Sequence, residues 1–314
     1  MKRNNRIIQY GWNLFLASRV FPYGRFLITL FPFYAILMHS TSNISLWSLT
    51  LILPYVFAFS AGFMYNTICD SGTDPKDKNP ITRGDLSMKI ATVEMRILIA
   101  FSIALLFIFY KNWIAWITFL IYLFLWLSYS GLRIRFKESL AGPVAASIVL
   151  WIGPSLIVLI EFNFFETSAM TLLLGLFFIF IAYEIEHTII DYELDALYGS
   201  KTFSIKLGKR NATITKYCML IAGFIFLMYA TEFLIGDEAI LFRAIFAILF
   251  LLSIIFNIYN WHQIGYTEPK YISLSPLPYI LTRIFIIAYG LLLLQIPTIL
   301  IIFVIWIFFI RKYP

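Results

Sequence analysis

Carboxylates gather at two places in this chain, each at the end of a long apolar run. The first is Asn66-Thr-Ile-Cys-Asp70-Ser-Gly-Thr-Asp74. In a helix, positions i, i+4 and i+8 fall within roughly 80° of one face, so these three oxygen-bearing side chains can share a cavity. Pro75 disfavours helical geometry at Asp74 and is expected to end the helix there. The loop that follows mixes Lys76, Lys78 and Arg83 with Asp77 and Asp85. The second place is Glu184-Ile-Glu-His-Thr-Ile-Ile-Asp191-Tyr-Glu-Leu-Asp195. Asp191 and Asp195 stand at i and i+4, and Glu184, seven residues earlier, lies almost directly below Asp191. Gly199 then offers a helix stop, and the run from Lys201 to Arg210 supplies cations.

Carboxylates beside lysines and arginines suit one kind of chemistry in particular. A diphosphate cannot sit next to carboxylates unless metal ions lie between them, and magnesium takes oxygen ligands and favours substrate phosphates. Lysine and arginine bind the remaining phosphate oxygens. Together they stabilise pyrophosphate as a leaving group, which is the hard step in breaking an allylic C–O bond. The competing reading is that acids at a helix end are solvated or ion-paired surface residues. Acids at a membrane edge are costly and usually functional, and two such sets, each followed by a basic loop, favour the chemical reading.

The elements that must position these groups are membrane helices. The chain is 61% hydrophobic and 13% charged, with a mean hydropathy of +0.84, far more apolar than a soluble domain. Apolar runs long enough to cross a bilayer are read at 21–39, 46–69, 88–110, 113–130, 140–160, 168–190, 213–235, 239–259 and 276–296. Ile299 to Ile310 is short for a span; it is the end of a broken ninth helix or a tenth. The expected fold is therefore all-α, a polytopic bundle of about nine transmembrane helices, in a single domain over residues 1–314. The acid-bearing helix end and basic loop after the second span return after the sixth, a rough internal echo.

Positive residues collect in alternate gaps between the spans, as orientation in a membrane requires. Lys2, Arg3, Arg6, Arg19 and Arg25 lie at the N-terminus; Lys76, Lys78, Arg83 and Lys89 follow the second span. Arg133, Arg135 and Lys137 follow the fourth, and Lys201, Lys206, Lys209, Arg210 and Lys216 the sixth. Acids such as Glu161, Glu166, Glu232, Asp237 and Glu238 fill the other gaps, with Lys111 the exception. This places the N-terminus and both acid-bearing loops in the cytoplasm; for the tail, Arg311 and Lys312 leave nine or ten crossings open. The basic start lacks a small-residue cleavage site and is interrupted by Arg19, so no removable leader is read. The net charge of +7 is explained by topology and not by a nucleic-acid partner. Cys69 and Cys218, the only two cysteines, support neither a disulfide framework nor a zinc site and are read as packing residues.

These residues resemble the UbiA superfamily of intramembrane prenyltransferases. Its first motif, Asn-Asp-x-x-Asp-x-x-x-Asp, is matched by Asn66, Asp70 and Asp74. Its second, Asp-x-x-x-Asp followed by Gly-x-Lys-Thr-x-x-(Val/Ile)-x-Leu-Gly, is matched by Asp191, Asp195 and the stretch from Gly199 to Gly208. Tyr129-Ser130 with Arg135-Phe136-Lys137 resembles a Tyr-Ser…Arg-Leu-Lys element of the same family.

The resemblance implies a bundle around a central cavity and magnesium-dependent transfer of a prenyl group from an isoprenyl diphosphate to a lipophilic acceptor, a quinone precursor or a lipid. Asp70, Asp74, Asp191 and Asp195 would hold Mg2+, with Asn66 alongside. Arg135, Lys137 and Lys201 would contact phosphate. Glu184 would lie near the acceptor or the allylic cation, and His187, one turn before Asp191, is a weaker candidate base. Two positions depart from the family pattern. Thr67 stands where the first aspartate is usual, and Asn79 stands where many members carry arginine before a proline, with Lys78 or Arg83 as compensating cations. A terpene cyclase on the same scaffold, and a transporter or lipid-binding membrane protein, are the alternatives. A transporter expects acids near the bilayer midplane rather than at helix ends.

Overall fold

In lipid a chain must satisfy its own backbone polar groups, and a run of apolar residues does so by forming a helix. The computed structural model describes residues 29–40, 46–72, 74, 76, 79–131, 134–234, 237–264 and 277–293, and among these the regular structure is all helical, without a strand. The helices are α1 (Leu30–Ser40), α2 (Leu53–Cys69, entered through a 3₁₀ segment Leu46–Ile52), α3 (Pro80–Arg83), α4 (Met88–Phe109), α5 (Trp113–Ser130), α6 (Gly142–Ser147), α7 (Gly153–Glu161), α8 (Thr167–Ile190), α9 (Tyr192–Leu197), α10 (Phe203–Leu207), α11 (Lys209–Ala230), α12 (Asp237–Ile264) and α13 (Leu277–Leu293). Seven stretches of the described residues are long and apolar enough to cross a membrane: Ser48–Cys69, Met88–Phe109, Trp113–Ser130, Gly142–Glu161, Thr167–Ile190, Lys209–Phe233 and Ala239–Tyr259. The remaining two expected spans correspond to the shorter helices α1 and α13. The candidate tenth segment, Ile299 to Ile310, lies outside the described residues.

The chain divides into two compact units, one holding Trp47–Phe162 and the other Ile28–Leu46 with the chain from Asn163. In the first unit α2 packs along α4 and α5. Gly62 is where the Trp126 ring crosses α2: a Cβ there would stand 2.4 Å from the ring. The expected span 140–160 is interrupted by a π-helical turn, Ile148–Ile152. Pro154 has no N–H to give the preceding turn, and the helix widens just before it. The Tyr122 hydroxyl donates to the Val149 carbonyl at 2.9 Å and accepts from Trp126 Nε1 at 3.1 Å, so the widened turn keeps its hydrogen bonds.

In the second unit α8 and α11 run antiparallel, with Gly175 opposite Leu227, Gly223 opposite Ile179 and Glu186 opposite Lys216. A Cβ on Gly223 would lie 2.5 Å from Ile179 Cγ1 and 2.8 Å from the Gly175 carbonyl oxygen. Small residues of this kind let two membrane helices approach closely. Gly223→Val is therefore expected to destabilise this pair by about 1–3 kcal/mol through overpacking, read as a lower thermal unfolding midpoint of the protein in detergent. Arg243 lies in an apolar span because its guanidinium donates to the Thr231 and Leu234 carbonyls, at 2.5 and 2.9 Å, at the end of α11.

Two sequence expectations need correction here. Lys216 is not a loop cation: α11 begins at Lys209, so Lys216 is two turns inside it, 1% exposed and paired with Glu186. Cys218 is exposed on α11 and not a packing residue, whereas Cys69 is half-buried; both are free thiols.

Candidate functional site

In the first unit α2 ends at Cys69, one turn earlier than Pro75 would require. The cause is Ser71, whose hydroxyl donates to the Ile68 carbonyl at 2.9 Å and so occupies an oxygen that the next helical N–H would use. Asp70 becomes the helix cap with φ −93° and ψ 3°. One further turn follows, the Asp74 N–H donating to the Asp70 carbonyl at 2.8 Å. The two acids therefore remain one turn apart although regular helix has ended.

The segment after α5 docks onto this helix end. Ser130 Oγ donates to Asn66 Oδ1 at 2.7 Å. The Asp70 carboxylate, almost buried, accepts from Arg135 Nη2 at 2.8 Å and from Lys137 Nζ. Arg135 reaches it from a left-handed backbone conformation, φ 43°, which is unusual for a residue with a side chain and typical of functional positions. Its Nε also donates to the Ser130 carbonyl at 3.3 Å, and Nη1 pairs with Glu138 at 2.7 Å. Asn66, Asp70, Arg135 and Lys137, separated by some seventy positions of chain, thus form one connected set.

Asp74 is held by a different partner. Asn79 Nδ2 donates to Asp74 Oδ2 at 3.2 Å, while Asn79 Oδ1 caps α3. Behind it, Ile81 and Leu86 pack against Met64, Ile68, Ala91 and Met95, which fixes this loop on α2. Gly84 closes α3 with φ 89°, a conformation that favours glycine. Arg83 is exposed and pairs with Asp85, and Lys78 lies outside the described residues.

The second unit repeats this plan. Asp191 caps the end of α8 and is exposed, and the Asp195 N–H donates to the Asp191 carbonyl at 2.8 Å. Thr202, which precedes α10 as Asn79 precedes α3, donates from Oγ1 to Asp195 Oδ2 at 2.8 Å. Phe203 and Leu207 of α10 pack against Ile181, Ile185, Ile189 and Ala212, and Ser204 and Thr188 share a 2.6 Å hydroxyl contact. Gly199, at φ 68°, turns the chain after α9, as its place after the acids suggests. Lys201 is exposed; Lys209 pairs with Glu193. Glu184 is half-buried, and the exposed His187 ring stands edge-on to Tyr183 at 4.4 Å between centroids.

Three contributors were not singled out as site residues by the sequence: Ser130, Asn79 and Thr202. For Asn79 a signal existed, since asparagine directly before proline is the pattern of a helix cap with proline at the first helical position.

The donors suit magnesium. They are hard carboxylate oxygens in pairs one turn apart. Magnesium is ordinarily held by one or two carboxylates, with waters and substrate phosphates completing its shell.

Comparison with solved structures gives the same architecture. A UbiA homologue from Archaeoglobus fulgidus bound to GPP and Mg2+ superposes with a TM-score of 0.67 at 18% identity, covering 90% of this chain and 100% of that one. A digeranylgeranylglyceryl phosphate synthase gives 0.66 at 17% identity, over 93% and 100% of the two chains. A UbiA homologue from Aeropyrum pernix K1 gives 0.62 at 17%, over 87% and 98%. No curated protein sequence matches the chain. The sequence profile of the UbiA prenyltransferase family matches residues 26–275, and the chain belongs to that family.

Proposed function

We propose that this protein is an intramembrane prenyltransferase that moves a prenyl group from an isoprenyl diphosphate to a lipophilic acceptor, a quinone precursor or a membrane lipid, and releases pyrophosphate. The observation that carries this reading is the attachment of Arg135 and Lys137 to Asp70, beside Asn66. Cations and carboxylate are already assembled there, at a helix end, in the combination that a metal-bound diphosphate requires. The family membership and the prenyl diphosphates held by fold neighbours support the same reading.

Asp70, Asp74, Asp191 and Asp195 are the residues that would hold Mg2+, which when bound neutralises the diphosphate and favours its departure. Arg135 and Lys137, with Lys201 and a further cation from Lys78 or Arg83, bind phosphate oxygens and stabilise the charge that grows as the allylic C–O bond breaks. Glu184, two turns before Asp191, supplies negative charge for the allylic cation. The whole chain acts as one catalytic domain with the acid-bearing loops and the N-terminus on the cytoplasmic side.

The test is pyrophosphate release by the purified protein in lipid, with geranyl diphosphate and with longer homologues, with and without Mg2+ and a membrane lipid extract as acceptor. Magnesium-dependent release with a prenylated product is the expected result. Release with the diphosphate alone and a cyclised hydrocarbon product would instead identify a cyclase, and no release with any donor would remove the enzymatic reading.

A further inference from the structure

Asn79 occupies a position where the family pattern commonly has a cation, yet its surroundings are those of a residue that must be an amide. It is 1% exposed and uses its whole hydrogen-bonding capacity. Oδ1 accepts from the Ile81 and Thr82 N–H groups at 2.9 and 3.4 Å. Nδ2 donates to the Thr67 carbonyl at 2.8 Å and to Asp74 Oδ2 at 3.2 Å. Two donors and two acceptor sites are what an asparagine side chain offers. Arginine has no acceptor and would leave α3 uncapped; aspartate has no donor for Asp74.

Thr67 explains why a neutral residue is tolerated here. Its hydroxyl donates to the Phe63 carbonyl at 3.0 Å, so position 67 carries no charge for a cation to balance. Its carbonyl lies at the end of α2, where the Ser71 N–H is directed to Ile68 instead, and Asn79 fills it. The two departures from the family pattern are therefore one local arrangement.

We propose that Asn79 is a positioning residue, tying the end of α2 to α3 and holding the Asp74 carboxylate in the orientation in which it meets a divalent cation. This rests on the metal-diphosphate reading above. Residues that orient a metal-binding carboxylate change metal affinity by about 10–100-fold when replaced.

Asn79→Ser keeps a good cap acceptor and removes the reach to Asp74. The measurement is Mn2+ binding to the full-length protein in nanodiscs, followed by the electron paramagnetic resonance of free Mn2+ with inorganic pyrophosphate present. Asn79→Ser is expected to weaken Mn2+ binding by at least about tenfold; it also lowers the unfolding midpoint, since the Thr67 carbonyl loses its donor, so binding is compared at a temperature at which both proteins are folded. It is expected to add nothing in an Asp74→Ala background, because the effect passes through Asp74. Asn79→Thr, run in parallel, carries the comparison should Asn79→Ser not fold. Wild-type affinity in either folded variant, or an effect that adds in full to Asp74→Ala, overturns the role of Asn79 alone. Absence of Mn2+ binding by the wild type with pyrophosphate overturns the parent reading as well.

Discussion

Asp191→Ala is expected to lower magnesium-dependent pyrophosphate release by at least ~10²–10³-fold, the effect of removing a group that stabilises transition-state charge. Asp191 is the cleaner of the two leading acids to replace. Its side chain is exposed at the end of α8, so the fold should change by no more than about 0.5 kcal/mol. A comparable loss is expected for Asp70→Ala, but there the interpretation differs. Asp70 holds Arg135 and Lys137, and its removal takes the carboxylate from Lys137 and leaves Arg135 with Glu138. Pairing each activity assay with a thermal unfolding curve separates the two effects. An Asp191→Ala protein that folds normally and retains wild-type release would falsify the assignment of the second motif to the reaction.

The second large effect concerns stability. Glu186 Oε2 lies 2.6 Å from Lys216 Nζ, with both side chains nearly sealed from solvent between α8 and α11. Lys216 also lies over the Tyr217 ring at 4.2 Å. Replacing Glu186 by alanine leaves a buried ammonium without its counter-charge and is expected to destabilise the protein by roughly 3–5 kcal/mol. The double variant Glu186→Leu, Lys216→Met removes both charges and is expected to recover most of that loss, because an apolar pair needs no compensation. Unfolding midpoints of the wild type, single and double variants in one detergent decide the matter. A single variant as stable as the wild type would show that water or lipid headgroups reach the pair.

Glu186 sits five residues before Asp191, about 7 Å along the helix axis. The same helix therefore carries a buried charge pair at one level and the candidate site at its end. The Gly175 and Gly223 contacts brace α8 further along. A helix held at both levels presents Asp191 and Asp195 from a fixed base, which preorganised electrostatics requires.

Much of this protein is legible in its residues because the bilayer simplifies the problem. A chain 61% hydrophobic must cross lipid as helices, and the ends of apolar runs fall close to the ends of α4, α5, α8 and α12. Charged groups mark those ends, so the two acid sets and the Ser130 to Lys137 element can be located by reading alone. Where local hydrogen bonding competes with periodicity the reading failed. Ser71 ended α2 early, and the turn before Pro154 widened into a π-helix. Lys216, counted with the loop cations although it falls within the 213–235 run, lies inside α11, where Glu186 of α8 balances its charge.

Composition, spacing and the periodic apolar runs were enough to determine the class of fold and to locate the two sets of acids, since each depends on residue type and near neighbours. Which cation meets which carboxylate was decided only by tertiary structure. Arg135 and Lys137 lie on Asp70, whereas Arg83 turns to Asp85, and Asn79 and Thr202 hold the second acid of each motif. Those pairings depend on how a loop packs back onto a helix through Ile81 and Leu86 or Phe203 and Leu207. Charge alone cannot select among several lysines and arginines within reach; the apolar contacts that seat each loop do.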